Sequence, residues 1–119
     1  MVIICDYLQV VRSTTPERSR EQEVARISGD LHQLANDTHS VVVVLSQLSR
    51  ESERRMDKRP TLADLRDSGA IEQDADAVVL IYHPEDTPDT VQLLVAKNRN
   101  GPTGMVACRW DGPSMRFEA

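Results

Sequence analysis

Five consecutive apolar residues, Val41 to Leu45, four of them valine, constrain this chain more than any other feature. β-Branched side chains are stiff at χ1 and pack well on a pleated surface, so the run predicts a strand. It is apolar at every position rather than at every second one, the pattern of a strand covered on both faces in a parallel sheet. Upstream, Met1 to Cys5 is a second apolar run, ending at Asp6. Between the two, Val24, Ile27, Leu31 and Leu34 recur at steps of three and four, with Ala35 beside them. That stripe predicts a helix from about Glu17 to Asn36, with Pro16 suited to its start. Strand, helix and strand make a parallel unit with a right-handed crossover.

Beyond this unit the pattern changes. Ser49 to Pro60 is dense in charge without apolar periodicity, so it is expected to be a mobile loop. Short helical turns are expected at Leu62 to Arg66 and at Ala70 to Asp74. Ala77 to Tyr82 predicts a third buried strand. Val91 to Ala96 and Met105 to Trp110 predict a β-hairpin around Asn100-Gly101-Pro102, with an edge strand near Ser114 to Phe117. The expected class is therefore α/β, with parallel strands at the start, one long helix and an antiparallel hairpin at the end.

The 119 residues suit one domain with a real core. Fourteen Lys and Arg against nineteen Asp and Glu leave a net charge of −5, so a nucleic-acid contact has to come from local basic clusters. No apolar run approaches the ~20 residues of a membrane span, and Met1 to Asp6 is not a signal peptide. Cys5 and Cys108 sit in apolar strand-like segments and read as two buried thiols in a reducing cytoplasm. His32, His39 and His83 are scattered without metal-ligand spacing.

Three places carry candidate chemistry. Asp6 and Ser46-Gln47 each follow an apolar strand directly, and in open α/β sheets ligands bind beyond the carboxyl ends of strands. A carboxylate there can hold a magnesium-bound water, and Gln47 can hydrogen-bond a phosphate. Lys97-Asn98-Arg99-Asn100-Gly101 places two cations on one strand face beside a turn, suited to an oxyanion. Each also has a plainer reading: Asp6 as a strand-end cap, Gln47 as a partner of loop backbone, the hairpin as a solubilising edge.

Taken in order, Asp6-Tyr7-Leu8-Gln9, Leu45-Ser46-Gln47-Leu48-Ser49-Arg50, Leu65-Arg66-Asp67-Ser68-Gly69-Ala70-Ile71-Glu72-Gln73-Asp74-Ala75-Asp76 and Lys97-Asn98-Arg99-Asn100-Gly101-Pro102 form a series. This series resembles the C-terminal RecA-like motor domain of DnaB-type replicative DNA helicases, from Val2 to about Phe117. The resemblance implies a partial RecA-like P-loop NTPase core with a mainly parallel sheet, a C-terminal antiparallel hairpin and one long helix, spanning 1–119 as one unit. It implies roles by position. Asp6 is the Walker B acid that holds Mg²⁺ through water, and Gln47 senses the γ-phosphate. Arg66, Asp67, Ser68 and Gly69 form the loop that grips single-stranded DNA, with Asp67 where the family has a longer Glu. Lys97 and Arg99 are a finger that enters the ATP site of the adjacent subunit. Arg12, Arg18 and Arg20 lie where a second channel contact is carried.

No G-x-x-x-x-G-K-[ST] occurs, since the glycines fall at 29, 69, 101, 104 and 112. The resemblance also places the water-activating glutamate and the primase-recruiting collar upstream of this sequence. The chain alone is therefore expected not to hydrolyse ATP and to bind neither ATP nor Mg²⁺. In RecA-like cores the P-loop strand lies between the strands matching Val41–Leu45 and Ala77–Tyr82. Without it those strands either close up and pair, or chains self-associate to bury the open edges. Three functions follow. One is a fragment of an ATP-dependent hexameric helicase that works with single-stranded DNA and adjacent subunits. A second is a free-standing, non-catalytic protein derived from a mobile gene fragment that oligomerises or binds helicase subunits. A third is a weak single-stranded DNA-binding module using Arg50 to Arg66, which lacks aromatics for stacking. All three are cytoplasmic readings with no membrane partner.

Overall fold

A computed structural model describes residues 1–65 and 69–118. The first body is the expected parallel unit. Strand β1 (Val2–Cys5) pairs in parallel with β2 (Val41–Val44), from Val2 opposite Val41 to Cys5 opposite Val44. Helix α1 (Arg20–Thr38) connects them. The helix begins at Arg20 rather than near Pro16 because Ser19 is extended and its hydroxyl accepts from the Gln22 N–H at 3.2 Å. Glu21 and Glu23 in the first turn complement the positive end of the helix dipole. His39 closes the helix in the left-handed region at φ 49°, while the Ser40 N–H reaches back to the Ala35 carbonyl at 3.0 Å. The stripe buries Val24 and Ile27 against Leu8, with Val11, Leu31 and Ile71 packed around them.

The second body is an antiparallel sheet in the order β3 (Ala77–Tyr82), β4 (Thr90–Asn98), β5 (Gly104–Asp111), β6 (Arg116–Glu118). The expected hairpin and edge strand are both present. Leu65, Val78 and Leu80 form its core, flanked by Leu48, Leu62, Ile71, Leu94 and Ala96. Short 3-10 turns at Arg50–Arg54 and Leu62–Asp64 and helix α2 (Gly69–Asp74) link the two bodies. Among the described residues no helix is long and apolar enough to cross a membrane.

Burial departs from the sequence expectation. The apolar runs in β1, β2 and β3 predict strands covered on both faces, yet each keeps an open face. Ile4 is 68% exposed, Val41 60% and Ile81 58%, while Val78 and Leu80 point inward. A strand alternates faces, so with a layer on only one side every second apolar residue meets solvent. Nor do β2 and β3 close up: they belong to separate sheets. The radius of gyration is accordingly 15.5 Å, against about 13.5 Å for a compact domain of this length. Cys5 and Cys108 follow the same trend, being half-buried free thiols rather than buried ones.

Candidate functional site

The parallel pairing brings the two strand-end candidates to one edge. Asp6 follows β1 and Gln47 lies three residues beyond β2, whose last residues, Cys5 and Val44, are partners in register. The turn after Asp6 is fastened to the other strand. The Leu8 N–H donates to the Leu45 carbonyl at 2.9 Å, and Leu8 is buried in the first core. Gln9 bridges the gap with its carboxamide: Nε2 donates to Ser46 Oγ at 2.9 Å, and Oε1 accepts from the Gln47 N–H at 3.2 Å. Asp6 and Gln47 are both solvent-exposed at this edge, so a ligand can reach them.

The loop from Val10 to Ser19 is organised by Arg20. Its guanidinium donates to the Gln9 carbonyl at 2.9 Å and the Val11 carbonyl at 3.3 Å, and pairs with Glu23. Glu23 also accepts from the Ser13 N–H at 2.9 Å. That backbone bond, with Arg20 and Arg12 beside it, holds the Glu23 carboxyl below its usual range. Arg20 is thus spent on the loop's own structure, whereas Arg12 and Arg18 are exposed.

The charged segment from Ser49 to Pro60, expected to be a mobile loop, carries a specific clamp. Asp64 is only 2% exposed and accepts a two-pronged pair from Arg55, with both N···O distances 2.7 Å. The Thr61 N–H adds a third bond at 2.7 Å. The Thr61 hydroxyl donates as well, at 3.2 Å. Arg55 first, and then these two Thr61 bonds, lower the Asp64 pKa to about 2. The Ser49 N–H donates to the Asp64 carbonyl at 2.7 Å, and Leu48 bridges to Leu65. Both ends of the segment are therefore held just before residue 66.

At the far end of the antiparallel sheet, Lys97 and Arg99 are engaged rather than free. Lys97 Nζ donates to the Glu72 carbonyl at 2.5 Å and the Gln73 carbonyl at 3.2 Å, at the C-terminal end of α2. The Arg99 guanidinium pairs with Asp76 at 2.5 Å, and the Arg99 N–H donates to the Asp76 carbonyl at 2.8 Å. The tip is braced by Asn98, which donates to the Pro102 carbonyl at 3.2 Å and accepts from the Asn100 N–H at 3.3 Å. A Cβ at Gly101 would fall 2.8 Å from Asn98 Nδ2, so a larger residue there would displace the Asn98 carboxamide.

The structure thus leaves Asp6 and Gln47 at the end of one sheet and Lys97 and Arg99 at the end of the other. Arg66, Asp67 and Ser68 lie outside the described residues; Gly69 opens α2. Among the described residues no group of three or more His, Cys, Asp or Glu could hold a metal. Asp6 is a single carboxylate and does not by itself make a magnesium site. Sequence reasoning gave no role to Gln9, Arg55, Asp64 or Asp76. Gln9 and Asp76 stand inside quoted motifs, whereas Arg55 and Asp64 have no local signal.

A model of the DnaB-like helicase C terminal domain matches residues 1–119. The chain belongs to the DnaB-like helicase C-terminal domain family. It is 46% identical to the replicative DNA helicase DnaB of Leifsonia xyli subsp. xyli over 98% of its own length and 27% of the relative's. It is 43% identical to that of Geobacillus stearothermophilus over 88% of its length and 25% of the relative's. Among solved structures, one ATPase domain superimposes with a TM-score of 0.93 at 37% identity, over 98% of this chain and 43% of that one. A DnaB-like replicative helicase solved with attention to its interactions with primase gives the same score and identity, over 30% of its chain. The chain therefore has a partial RecA-like fold and spans about a quarter of the length of the curated DnaB relatives it matches. The open faces of β1, β2 and β3 belong to this partial DnaB-like core.

Proposed function

We propose that this chain supplies four working parts of a DnaB-type, ATP-dependent hexameric DNA helicase and does not hydrolyse ATP on its own. In this reading Asp6 is the Walker B acid, Gln47 the γ-phosphate sensor, and Arg66 to Gly69 the single-stranded DNA loop. Lys97 and Arg99 reach the nucleotide of an adjacent subunit. The observation that carries it is the parallel register of β1 and β2, whose carboxyl ends lie together with Asp6 and Gln47 just beyond them. Lys97 and Arg99 stand at the end of a different sheet from Asp6 and Gln47, which is compatible with action in trans. Developing charge in phosphoryl transfer is what such a cationic pair neutralises. The nest of backbone N–H groups that cradles the β-phosphate has no counterpart in this sequence. The exposed strands favour self-association of the isolated chain, and the reading places it in the cytoplasm.

The test is a chimera in which this chain replaces the matching segment of the Leifsonia xyli helicase. The chimera is expected to hydrolyse ATP with stimulation by single-stranded DNA. Asp6→Asn and Arg99→Ala should each lower turnover at least about 100-fold while nucleotide binding persists. A chimera whose turnover survives both substitutions refutes the assignment.

A further inference from the structure

We infer that Gln9 is a positioning residue for Gln47: its side-chain amide adds one rung beyond the end of the β1–β2 ladder and fixes the peptide groups on both sides of residue 47. The inference rests on the preceding reading of Gln47 as the γ-phosphate sensor. Three observations carry it. First, the ladder ends just short of residue 47. The strand register closes at Cys5 and Val44, the Leu45 N–H then donates to the Cys5 carbonyl at 3.0 Å, and the Leu8 N–H donates to the Leu45 carbonyl at 2.9 Å. After that the chain winds into a 3-10 turn at Leu8–Val10 and leaves the ladder. The Gln47 N–H is met instead by Gln9 Oε1 at 3.2 Å. A carboxamide carries a donor and an acceptor, as a peptide group does, so it can continue a ladder from a side chain. Second, the same carboxamide acts on the other side of the residue. Gln9 Nε2 donates to Ser46 Oγ at 2.9 Å, and that hydroxyl donates to the Gln47 carbonyl at 3.4 Å. Third, Gln9 is itself held. Leu8 before it is 1% exposed in the first core, and the Gln9 carbonyl accepts from Arg20 Nη2 at 2.9 Å.

The consequence concerns where the sensor points. Gln47 is solvent-exposed, so the direction of its side chain depends on the backbone that carries it rather than on packing. That backbone is tied through Gln9 to the turn that follows Asp6, so one rung sets the sensor relative to the carboxylate. A group that meets a phosphate oxygen has to stand within a hydrogen-bond length of it, and a displacement of about 1 Å is costly to turnover. Gln9 touches no substrate in this reading and acts only through Ser46 and Gln47. An interaction that matters most in the transition state shows in kcat rather than in KM, so loss of the rung should do the same.

The experiment measures amide hydrogen exchange in the ¹⁵N-labelled 119-residue chain and in two variants, Gln9→Met and Ser46→Ala. Methionine keeps the length of glutamine and removes its amide donor and carbonyl acceptor. The Gln47 N–H is expected to exchange about tenfold faster in Gln9→Met. The Leu8 and Leu45 N–H groups, which donate to backbone carbonyls, should keep their rates and serve as the folding control. Ser46→Ala removes only the acceptor of Gln9 Nε2 and should raise the Gln47 rate about threefold. An unchanged Gln47 rate in Gln9→Met overturns the inference. So does an equal rise at Leu8 and Leu45, which would make Gln9 a support of the whole strand end. A second arm uses the chimera with the Leifsonia xyli helicase. Gln9→Met should lower kcat for ATP about tenfold or more, with KM within about twofold of the parent chimera. A rise in KM at unchanged kcat, or no change in either, overturns the positioning role. Gln47→Ala in the same chimera separates the two readings. If it leaves kcat intact, the sensor reading is refuted, and the exchange rates alone decide whether Gln9 fixes residue 47.

Discussion

Replacing Asp64 by Asn removes one charge from the best-organised ion pair in the molecule. Asp64 is 2% exposed and accepts two bonds from Arg55 and one from the Thr61 backbone, each 2.7 Å long. Its pKa falls from 3.8 to about 2 in the folded chain. At ~1.4 kcal/mol per pKa unit, a shift of nearly two units amounts to roughly 2 kcal/mol of folding free energy above the unfolded pKa. Asn keeps the shape but turns an N–H toward an Arg55 donor, so the cost at pH 7 should be about 2 to 3 kcal/mol. It stays below the ~3–5 kcal/mol of a fully buried broken pair, because the Arg55 side chain is 40% exposed and can turn to water. The sign follows from the depressed pKa. The stabilisation is complete above about pH 5 and is lost as pH falls through about 4 toward about 2, where wild-type Asp64 is itself protonated. Urea unfolding of wild type and Asp64→Asn at pH 7, 4 and 2.5 measures the difference. Other titrating groups, Glu23 included, are common to both chains and cancel. A difference that stays constant across this range would show that packing, not charge, makes Asp64 matter.

Two further outcomes follow from the fold. His39 ends α1 in the left-handed region, which costs a β-carbon-bearing residue about 1 kcal/mol, so His39→Gly should raise stability by about 0.5 to 1 kcal/mol in thermal melts; a loss would mean that the His39 side chain contributes contacts of its own. The exposed faces of β1 and β2 predict a scattering mass that rises with concentration, and Val43→Lys, on a residue 44% exposed, should weaken that association about tenfold. A stable monomer at high concentration would exclude it.

Much of the architecture was legible because it is written locally. The Val24, Ile27 and Leu31 spacing marks a helix wherever it is read, and the four valines of Val41–Val44 mark a strand. Boundaries were less legible: the helix waits for Ser19, because a hydroxyl that accepts a backbone N–H outweighs a proline that merely permits a start. Asp6, Gln47, Lys97 and Arg99 could be named from motif order. That order is silent on the contacts they make, since the Lys97 partners are carbonyls 24 and 25 residues away. Arg55 lay in a segment whose charges looked interchangeable, and only the fold shows that its two-pronged partner is Asp64, in the turn beyond that segment.

Sequence by itself determined the element types, the family resemblance and the absence of a G-x-x-x-x-G-K-[ST] motif, because each depends on residues adjacent along the chain. Tertiary structure alone decided that β2 and β3 remain in separate sheets, that their apolar faces meet solvent, and that α2 is held by the hairpin tip. An apolar run records the burial a strand is suited to. Which faces are covered depends on what packs across the sheet, and that is a property of three dimensions.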